Sequence, residues 1–262
     1  MAALRELQTV ALDYILLLFL RVAGIVWTNP IYGRRNIPAL ARIAFALALT
    51  YFFFTSVPAA VQPAYDTLLT YALLCVKEIL IGAVIGFVLT LFFSVSHSAG
   101  QLIDMQIGLG MANVYDPQTN AQVPLMGNLL NVVMILVFFA VGGDRKLISI
   151  LYLTIVKIPV GGVTVTADTA LAFVDMFTDM FILAVRMALP ILASGLMTEA
   201  IMGMIIHTVP QMNVFVVGMP LKVAMGFVVL LLILPVYVEF SAVIFDEMYA
   251  SLSGLLSTMA GV

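Results

Sequence analysis

Long apolar runs fill most of this chain and are separated by short polar interruptions. Because roughly 20 residues cross a bilayer as a helix, such runs predict membrane-spanning helices. The candidates, of which the second is marginal, are 10–27, 43–57, 68–95, 125–141, 170–198 and 223–240. Glu6 precedes the first run and Asp13 and Arg21 interrupt it, so we expect it to stay attached and not to be cleaved as a signal peptide. The pattern predicts an all-α protein of the integral-membrane type, built from helical hairpins.

Prolines and glycines break several of the apolar segments. The shorter pieces 147–160 and 201–219 contain such breaks and are typical of half-helices or re-entrant hairpins. Pro190, Pro220 and Pro235 lie within apolar runs, where each removes a backbone hydrogen bond and kinks a helix. In hydrocarbon, broken helices are tolerated only where protein or a water-filled cavity surrounds them. The breaks therefore favour a channel or a packed multi-subunit assembly, with ordinary kinked membrane helices as the alternative.

One polar interruption, residues 97–124, is rich in glycine and in uncharged amides. Its glycines are Gly100, Gly108 and Gly110. Its amide side chains are Gln101, Gln106, Asn113, Gln118, Asn120 and Gln122. Glycine permits backbone angles that other residues resist, and amides hydrogen-bond without carrying charge. We expect a movable element here, with a plain structural connector as the alternative.

The composition requires that lipid or apolar subunits cover the chain. It is 63% hydrophobic and 10% charged, with a mean hydropathy of +1.17, which leaves too little polar surface for a water-soluble protein. The net charge of −3 is scattered and includes no basic tract, so we expect no nucleic-acid partner. Cys75 is the only cysteine, so an intramolecular disulfide and a CxxC motif are both excluded.

The distribution of positive charge conflicts with simple alternation of spans. The positive-inside rule places the loop with Arg34 and Arg42 in the cytoplasm. Alternation then places Arg145 and Lys146 on the opposite face, although they form a second basic cluster. Either an extra hairpin lies between the clusters, or the chain does not cross the bilayer as a plain up-and-down bundle.

Two helical faces combine small residues with one charge. Glu78, Gly82 and Gly86 are four residues apart and share a face that allows close backbone approach. The second face has the same spacing, with a cation in place of the anion, and consists of Gly218, Lys222 and Gly226. One hypothesis pairs Glu78 with Lys222 inside the membrane. The alternative is that each charge extends to the interface or meets another subunit.

Ionisable residues elsewhere do not form a catalytic pattern. Asp175, Asp179 and Arg186 share a helix face, where a proton relay is conceivable, but carboxylates near the start of a span favour a structural role. His97 and His207 lack neighbours at metal-ligand spacing, and the chain contains no HExxH, GxSxG or GxxxxGK[ST] motif. We therefore expect a protein that is not an enzyme and that uses no cofactor or metal.

Several short motifs recur in a characteristic order. They are 29–33 (NPIYG), 37–38 (IP) with Arg42, 77–82 (KEILIG) with 86–87 (GF), 99–106 (AGQLIDMQ) with Gly108, 116–117 (DP), 188–190 (ALP), 210–215 (PQMNVF) and 218–222 (GMPLK). In order and spacing, the chain from about residue 20 to 240 resembles the FliR family, the R component of the bacterial flagellar type III export gate. The T component of injectisomes is similar in plan, and residues 214–226 look more flagellar.

The resemblance implies a function in protein export. It implies a single export-gate membrane domain over 1–262, whose P-like and Q-like hairpins assemble with other subunits into a helical gate. The implied partners are the P and Q components, the B and A components, membrane lipid and unfolded flagellar proteins in transit. The implied location is the inner membrane within the flagellar basal body, with the assembled gate raised toward the periplasm.

The resemblance also assigns roles to particular residues. It makes 108–123 a plug that fills the pore at rest, and Asp116-Pro117 would form a rigid turn at its tip. The plug residues are Gly108, Gly110, Met111, Asn113, Tyr115, Asp116 and Pro117. Packing and assembly are assigned to Glu78, Gly82, Gly86, Pro210, Gln211, Asn213 and Lys222. The alternative function is a secondary transporter with ion-coupled discontinuous helices, which the lack of an evident internal repeat disfavours.

Overall fold

Helices account for all the regular secondary structure that is described. The structure, a computed structural model, describes residues 2–57, 65–109, 124–164, 166–209 and 214–260, with the side chains of 2–11 and 214–215 outside that description. The helices are α1 (Ala2–Thr28), α2 (Ala39–Ser56), α3 (Leu68–Ile107), α4 (Leu125–Ala140), α5 (Gly143–Lys157), α6 (Ala167–Thr208) and α7 (Val214–Ala260). No strand occurs in these ranges. The all-α prediction is confirmed.

Four of the predicted spans correspond to helices that are long and apolar enough to cross a membrane. These helices are Ala39–Ser56, Leu68–Ile107, Ala167–Thr208 and Val216–Ala260. The marginal candidate, 43–57, is among them. Within the most apolar window of α3, 56% of the residues are buried inside the chain, compared with 17% for α2. Much of α3 therefore packs against protein, although its composition alone is that of a lipid-facing helix.

The broken segments are resolved in different ways. The predicted span 125–141 corresponds to the 16-residue helix α4, Leu125–Ala140, and α5 follows after a break. Gly142 occupies this break with φ of +70°, a left-handed angle that favours glycine. The segment 201–219 is not a separate half-helix, because α6 continues to Thr208 and α7 begins at Val214. Pro190 lies inside α6, and Pro220 and Pro235 lie inside α7.

The chain divides into two compact units. The first unit contains Met1–Phe92, Gly142–Met176 and Asp246–Val262, and the second contains Phe93–Val141 and Phe177–Phe245. Three helices, α3, α6 and α7, contribute residues to both. The single membrane domain expected over 1–262 stays a prediction.

In the first unit, α1 packs tightly against α3 through small residues. A Cβ at Gly24 would lie 2.7 Å from the carbonyl oxygen of Ile79. A Cβ at Gly82 would collide with the carbonyl oxygen of Arg21. Thr90 Oγ1 donates a hydrogen bond to the Thr28 carbonyl at 2.8 Å. Residue numbers rise together along both helices, so α1 and α3 run parallel at a distance that only small residues permit.

The start of α5 lies beside the loop between α1 and α2. Tyr32 and Asn29 line one small cavity together with Leu147 and Leu151. Burial raises the pKa of Tyr32, and the nearby Asp144 carboxylate raises it further. The loop with Arg34 and Arg42 and the start of α5, with Arg145 and Lys146, therefore lie at the same end of the first unit. Simple alternation of spans would place these two basic clusters on opposite sides.

In the second unit, the last turns of α3 pack antiparallel to α4. The rings of Phe93 and Phe138 have centroids 5.7 Å apart, and Phe245 contacts both rings. Further along α3, a Cβ at Gly100 would lie 2.8 Å from the carbonyl carbon of Met126. As the residue number rises on α3 it falls on α4, so the two helices form a hairpin whose connecting segment is 108–124.

Candidate functional site

A buried ion pair in the first unit joins three helices. Arg21 Nε donates to Glu78 Oε2 at 2.5 Å, and both side chains are at most 1% exposed. Arg21 Nη1 also donates to the carbonyl oxygens of Thr154 and Ile158, at 3.0 and 2.9 Å. Glu78 Oε1 accepts a hydrogen bond from Gly161 N–H at 2.8 Å. The two charges are thus satisfied inside the chain, as a buried pair requires.

The predicted pairing of Glu78 with Lys222 is wrong. Glu78 lies in the first unit and is paired with Arg21. Lys222 lies in the second unit and is paired with Glu199 of α6. The alternative, extension to the interface or contact with another subunit, does not hold for Glu78, whose buried carboxylate is paired within the first unit. For Lys222, whose pair with Glu199 is partly exposed, it stays a prediction.

The Lys222–Glu199 pair lies near the ends of α6 and α7 in the second unit. Gln106 Nε2 of α3 is 3.5 Å from Glu199 Oε1, so three helices meet at this carboxylate. The pair borders an open cavity of about 290 Å³ lined largely by apolar groups. Its lining residues are Thr198, Glu199, Met202, Gly203, Ile206, Gly218, Met219 and Lys222.

The end of α3 fits closely against α6 and α7. A Cβ at Gly195 of α6 would lie 2.6 Å from Gln106 Cγ, and a Cβ at Gly226 of α7 would lie 2.6 Å from Ile107 Cδ1. A Cβ at Gly108 would lie 3.6 Å from the sulfur of Met219. The glycines at 195 and 226 thus leave space for the last side chains of α3.

The two ends of the predicted plug loop are connected through Asp104. Both carboxylate oxygens of Asp104 accept from the backbone N–H of Met126 at 3.3 Å. Met126 lies in the first turn of α4, and Pro124 at its N-cap position makes no side-chain cap. Helix N-termini favour an anion, so Asp104 on α3 caps α4 from outside. Gly108 N–H donates to the Asp104 carbonyl at 3.1 Å, and Gly108 has φ of +89° where the helix ends.

Comparison with known proteins identifies the family. The model of the bacterial export proteins, family 1, matches residues 12–248. This match covers most of the chain. The chain belongs to the bacterial export protein family 1.

Individual relatives agree with this assignment. The chain is 35% identical to the flagellar biosynthetic protein FliR of Bacillus subtilis over 224 residues, 84% of this chain and 86% of that protein. It is 28% identical to FliR of Escherichia coli over 240 residues, 92% of this chain and 91% of that protein. With the Yop proteins translocation protein T of Yersinia pestis, it shares 33% identity over 165 residues, 62% of this chain and 63% of that protein. The FliR resemblance is confirmed, and family and apolar helices together support an inner-membrane location.

Several residues assigned to the site lie outside the described ranges. For the plug these are Gly110, Met111, Asn113, Tyr115, Asp116 and Pro117. For assembly they are Pro210, Gln211 and Asn213. Gly108, Glu78, Gly82, Gly86 and Lys222 are described, and the first lies at the start of the loop. Glu78, Gly82 and Gly86 are all buried in the first unit and face α1. Glu78 contacts Arg21, and a Cβ at Gly82 or Gly86 would meet Arg21 or Thr28.

The remaining ionisable residues do not form a metal site within the described ranges. No group of three or more His, Cys, Asp or Glu side chains that could hold a metal ion occurs there. Asp175 and Arg186 are exposed and Asp179 is partly exposed on α6.

Sequence analysis missed three residues that organise these sites. Arg21, Glu199 and Asp104 are the partners of Glu78, Lys222 and the α4 N-terminus. A signal for Arg21 was present, because a cation in the middle of an apolar run needs an anion at similar depth. Glu199 lies within a long apolar helix and offered the same signal. The role of Asp104 depends on the hairpin geometry and has no local signature.

Proposed function

We propose that this chain is a pore-forming subunit of the flagellar type III export gate. In this function it passes unfolded flagellar proteins across the inner membrane, together with the P and Q components and in contact with the B and A components. The flagellar relatives match 84–92% of the chain, compared with 62% for the injectisome relative, which favours the flagellar system. The assembled gate is proposed to be raised toward the periplasmic side.

The segment 108–123 is proposed to be the plug of this pore. The observation that carries the proposal is the attachment of both loop ends to one hairpin by Asp104. A plug must leave the pore when cargo passes and return to the same place afterwards. Ends fixed on packed helices permit this return, because only the central residues then need to move.

One feature of the structure and one of the sequence support the proposed movement. Gly108 has a positive φ, so it can act as a pivot where α3 ends without the steric cost that another residue would carry. The amides that follow can exchange hydrogen bonds with water or with cargo, and the segment has only one charge, Asp116. A sparsely charged loop has a low desolvation cost in a narrow passage.

Deletion of residues 110–116 tests the plug. The deletion variant is co-expressed with the P and Q components, purified as a complex and reconstituted into a planar bilayer. We expect the complex to assemble and to conduct ions in the absence of cargo, whereas the unmodified complex is closed. Replacement of the same seven positions by a Gly/Ser sequence of equal length is the matched control for the effect of shortening, and we expect it to conduct less than the deletion.

Two results would overturn parts of the proposal. A closed bilayer with a fully assembled deletion complex would rule out the plug and leave the gate subunit intact. A chain that purifies alone, monodisperse and ligand-binding, without need of P and Q, would instead favour the transporter alternative.

A further inference from the structure

One face of α6 carries three charges, Asp175, Asp179 and Arg186, and the last two have no ion-pair partner within the described residues. Arg186 is exposed and Asp179 is partly exposed. Neither belongs to an ion pair among the described residues. Both lie in the second unit. Seven residues make almost two helical turns, so the two side chains share a face and are separated by about 10 Å along the helix axis.

The surroundings of Arg186 on this face are apolar. Ile182, four residues before it, is 41% exposed, and Leu189, three residues after it, is 50% exposed. The helix is long and apolar enough to cross a membrane. Lipid contact would leave the guanidinium group without hydrogen-bond partners in hydrocarbon, which is costly. A water-filled passage would make the exposed apolar neighbours unfavourable. Neither environment fits the whole face.

A neighbouring apolar helix that carries matching charges satisfies both parts of this face. It gives the charged groups partners and covers the exposed apolar side chains. We propose that this face of α6 docks against a helix of a different subunit, which presents a carboxylate to Arg186 and a cation to Asp179, seven residues apart. The apolar side chains at 182 and 189 then pack against that helix. Opposite charges at two depths fix the register between the helices, and a shift by one turn would leave both pairs unsatisfied.

A second copy of this chain does not supply the matching helix. In the whole sequence, Asp179 and Arg186 are the only acidic and basic residues separated by seven positions. Two α6 helices would match only if they ran antiparallel. Chains inserted into one membrane with the same orientation place α6 parallel to its copy, so that Arg186 would face Arg186. The partner is therefore a different protein.

This inference rests on the proposed function only for the membrane location and for the choice of gate components as probes. It does not depend on the plug. A closed bilayer in the deletion experiment would leave it standing, and failure of docking at α6 would leave the plug standing.

Charge reversal at Arg186 is the first test. Tagged full-length chain is co-expressed with the P and Q components, and their recovery in detergent is quantified. We expect Arg186→Glu to lower the recovery of at least one component by about tenfold or more, because it places like charges together at a buried contact. Arg186→Lys keeps the charge and should retain most of the recovery. Lys157→Glu reverses an exposed cation of α5 outside this face and serves as the matched control.

Rescue identifies the partner helix. Each Asp and Glu in the apolar helices of P and Q is changed in turn to Arg and combined with Arg186→Glu. We expect one such change to restore recovery, and its helix to carry a Lys or Arg seven residues away. Failure of every reversal to restore recovery would overturn the proposal.

Thiol accessibility tests the same contact without a charge reversal. In a Cys75→Ser background, Arg186→Cys is the sole cysteine, and a membrane-impermeant maleimide is added to the assembled complex from both sides of the membrane. We expect protection in the complex and labelling of the chain in membranes from cells that express it without P and Q. Labelling within the complex would show a water-filled passage and overturn the proposal. Equal protection with and without P and Q, or recovery of differently tagged copies together through this face, would also overturn it.

Discussion

Arg21 and Glu78 form an ion pair that is sealed inside the first unit, with 2.5 Å between Nε and Oε2. Arg21 Nη2 makes a second hydrogen bond to Glu78 Oε1 at 3.1 Å. The pair also reaches the end of α5 and the turn after it, where Arg21 Nη1 donates to the Thr154 and Ile158 carbonyls and Glu78 Oε1 accepts from Gly161 N–H. One pair of charges thus connects α1, α3 and α5. The surrounding carbonyl and amide groups satisfy both charges, which explains how the pair is tolerated in an apolar unit.

Removal of one charge from this pair should be strongly destabilising. Glu78→Gln leaves the Arg21 guanidinium buried without a counter-ion, which costs about 3–5 kcal/mol in comparable cases. We expect thermal unfolding of the purified chain or complex in detergent to shift to a clearly lower temperature. Asp246→Asn is the matched control, because it removes an anion from an exposed pair with Lys146, whose side chains are 50% and 73% exposed, and such pairs contribute about 0–1 kcal/mol.

The double variant Arg21→Leu with Glu78→Leu separates charge from packing. Hydrophobic replacement of a buried pair is often close to neutral. Here the freed N–H of Gly161 and two carbonyl groups lose partners, so we expect partial recovery relative to Glu78→Gln. A Glu78→Gln variant as stable as the parent chain would show that the pair does not hold the three helices together.

Gly82 should not tolerate a side chain. A Cβ there would collide with the Arg21 carbonyl and lie 3.0 Å from Gly24 Cα, and both atoms belong to the backbone of α1. Overpacking of this kind typically costs about 1–3 kcal/mol, and we expect Gly82→Ala to reach the upper part of that range because backbone must move. The measurement is thermal unfolding in detergent.

Gly254 provides the control for this substitution. It lies in α7 in the same unit, and a Cβ there would meet nothing within 4 Å. Since alanine is about 1 kcal/mol more favourable than glycine inside a helix, Gly254→Ala should be neutral or stabilising. Equal effects of the two substitutions would contradict the close packing of α1 on α3.

The sequence alone predicted the helices and the family, because both depend on local information. Apolar runs identify helices such as α2 and α7, and the order of short motifs identifies the family. The partner of Glu78 was predicted wrongly for a physical reason. A charge in an apolar run requires an opposite charge at the same depth, and Arg21, Lys222 and others were all available. Only the parallel packing of α1 on α3, set by Gly24 and Gly82, selects Arg21.

Other features depended on contacts between distant parts of the chain. The apolar piece 201–219 was expected to form a half-helix or a re-entrant hairpin, and its described residues form the end of α6 and the start of α7. The Asp104 cap requires the α3–α4 hairpin to be formed before its carboxylate meets the Met126 N–H. An aspartate near the end of a helix is common, and nothing in its neighbours distinguishes this one.

Lys222 and Glu199 should be energetically coupled to each other and not to Glu78. Their pair is partly exposed, at 24% and 50%, so a double-mutant cycle should give a coupling of about 0.2–1 kcal/mol. Lys222→Glu alone should destabilise the second unit by like-charge contact, and Lys222→Glu with Glu199→Lys should restore most of the loss. Thermal unfolding of all four chains measures this.

A double-mutant cycle between Glu78 and Lys222 is the negative control. Because Glu78 and Lys222 have separate partners, their effects should add within about 0.5 kcal/mol. Strong coupling between these two, with none between Lys222 and Glu199, would contradict the observed pairing.

Asp104 should link stability of the hairpin to closure of the proposed pore. Asp104→Ala removes the cap from the first turn of α4, which costs about 0.5–2 kcal/mol in comparable helices, and it also releases the connection between the two ends of 108–123. Asp104→Asn keeps one oxygen that can accept from Met126 N–H, so its effect should be smaller. In planar bilayers we expect the leak conductance of the assembled gate to be lowest for the parent chain, higher for Asp104→Asn and highest for Asp104→Ala.

Gln101→Ala is the control for this prediction. It lies at an exposed position one turn earlier on α3 and should leave the conductance unchanged. If Asp104→Ala lowers stability as expected and the gate still remains closed, Asp104 caps α4 without controlling the loop.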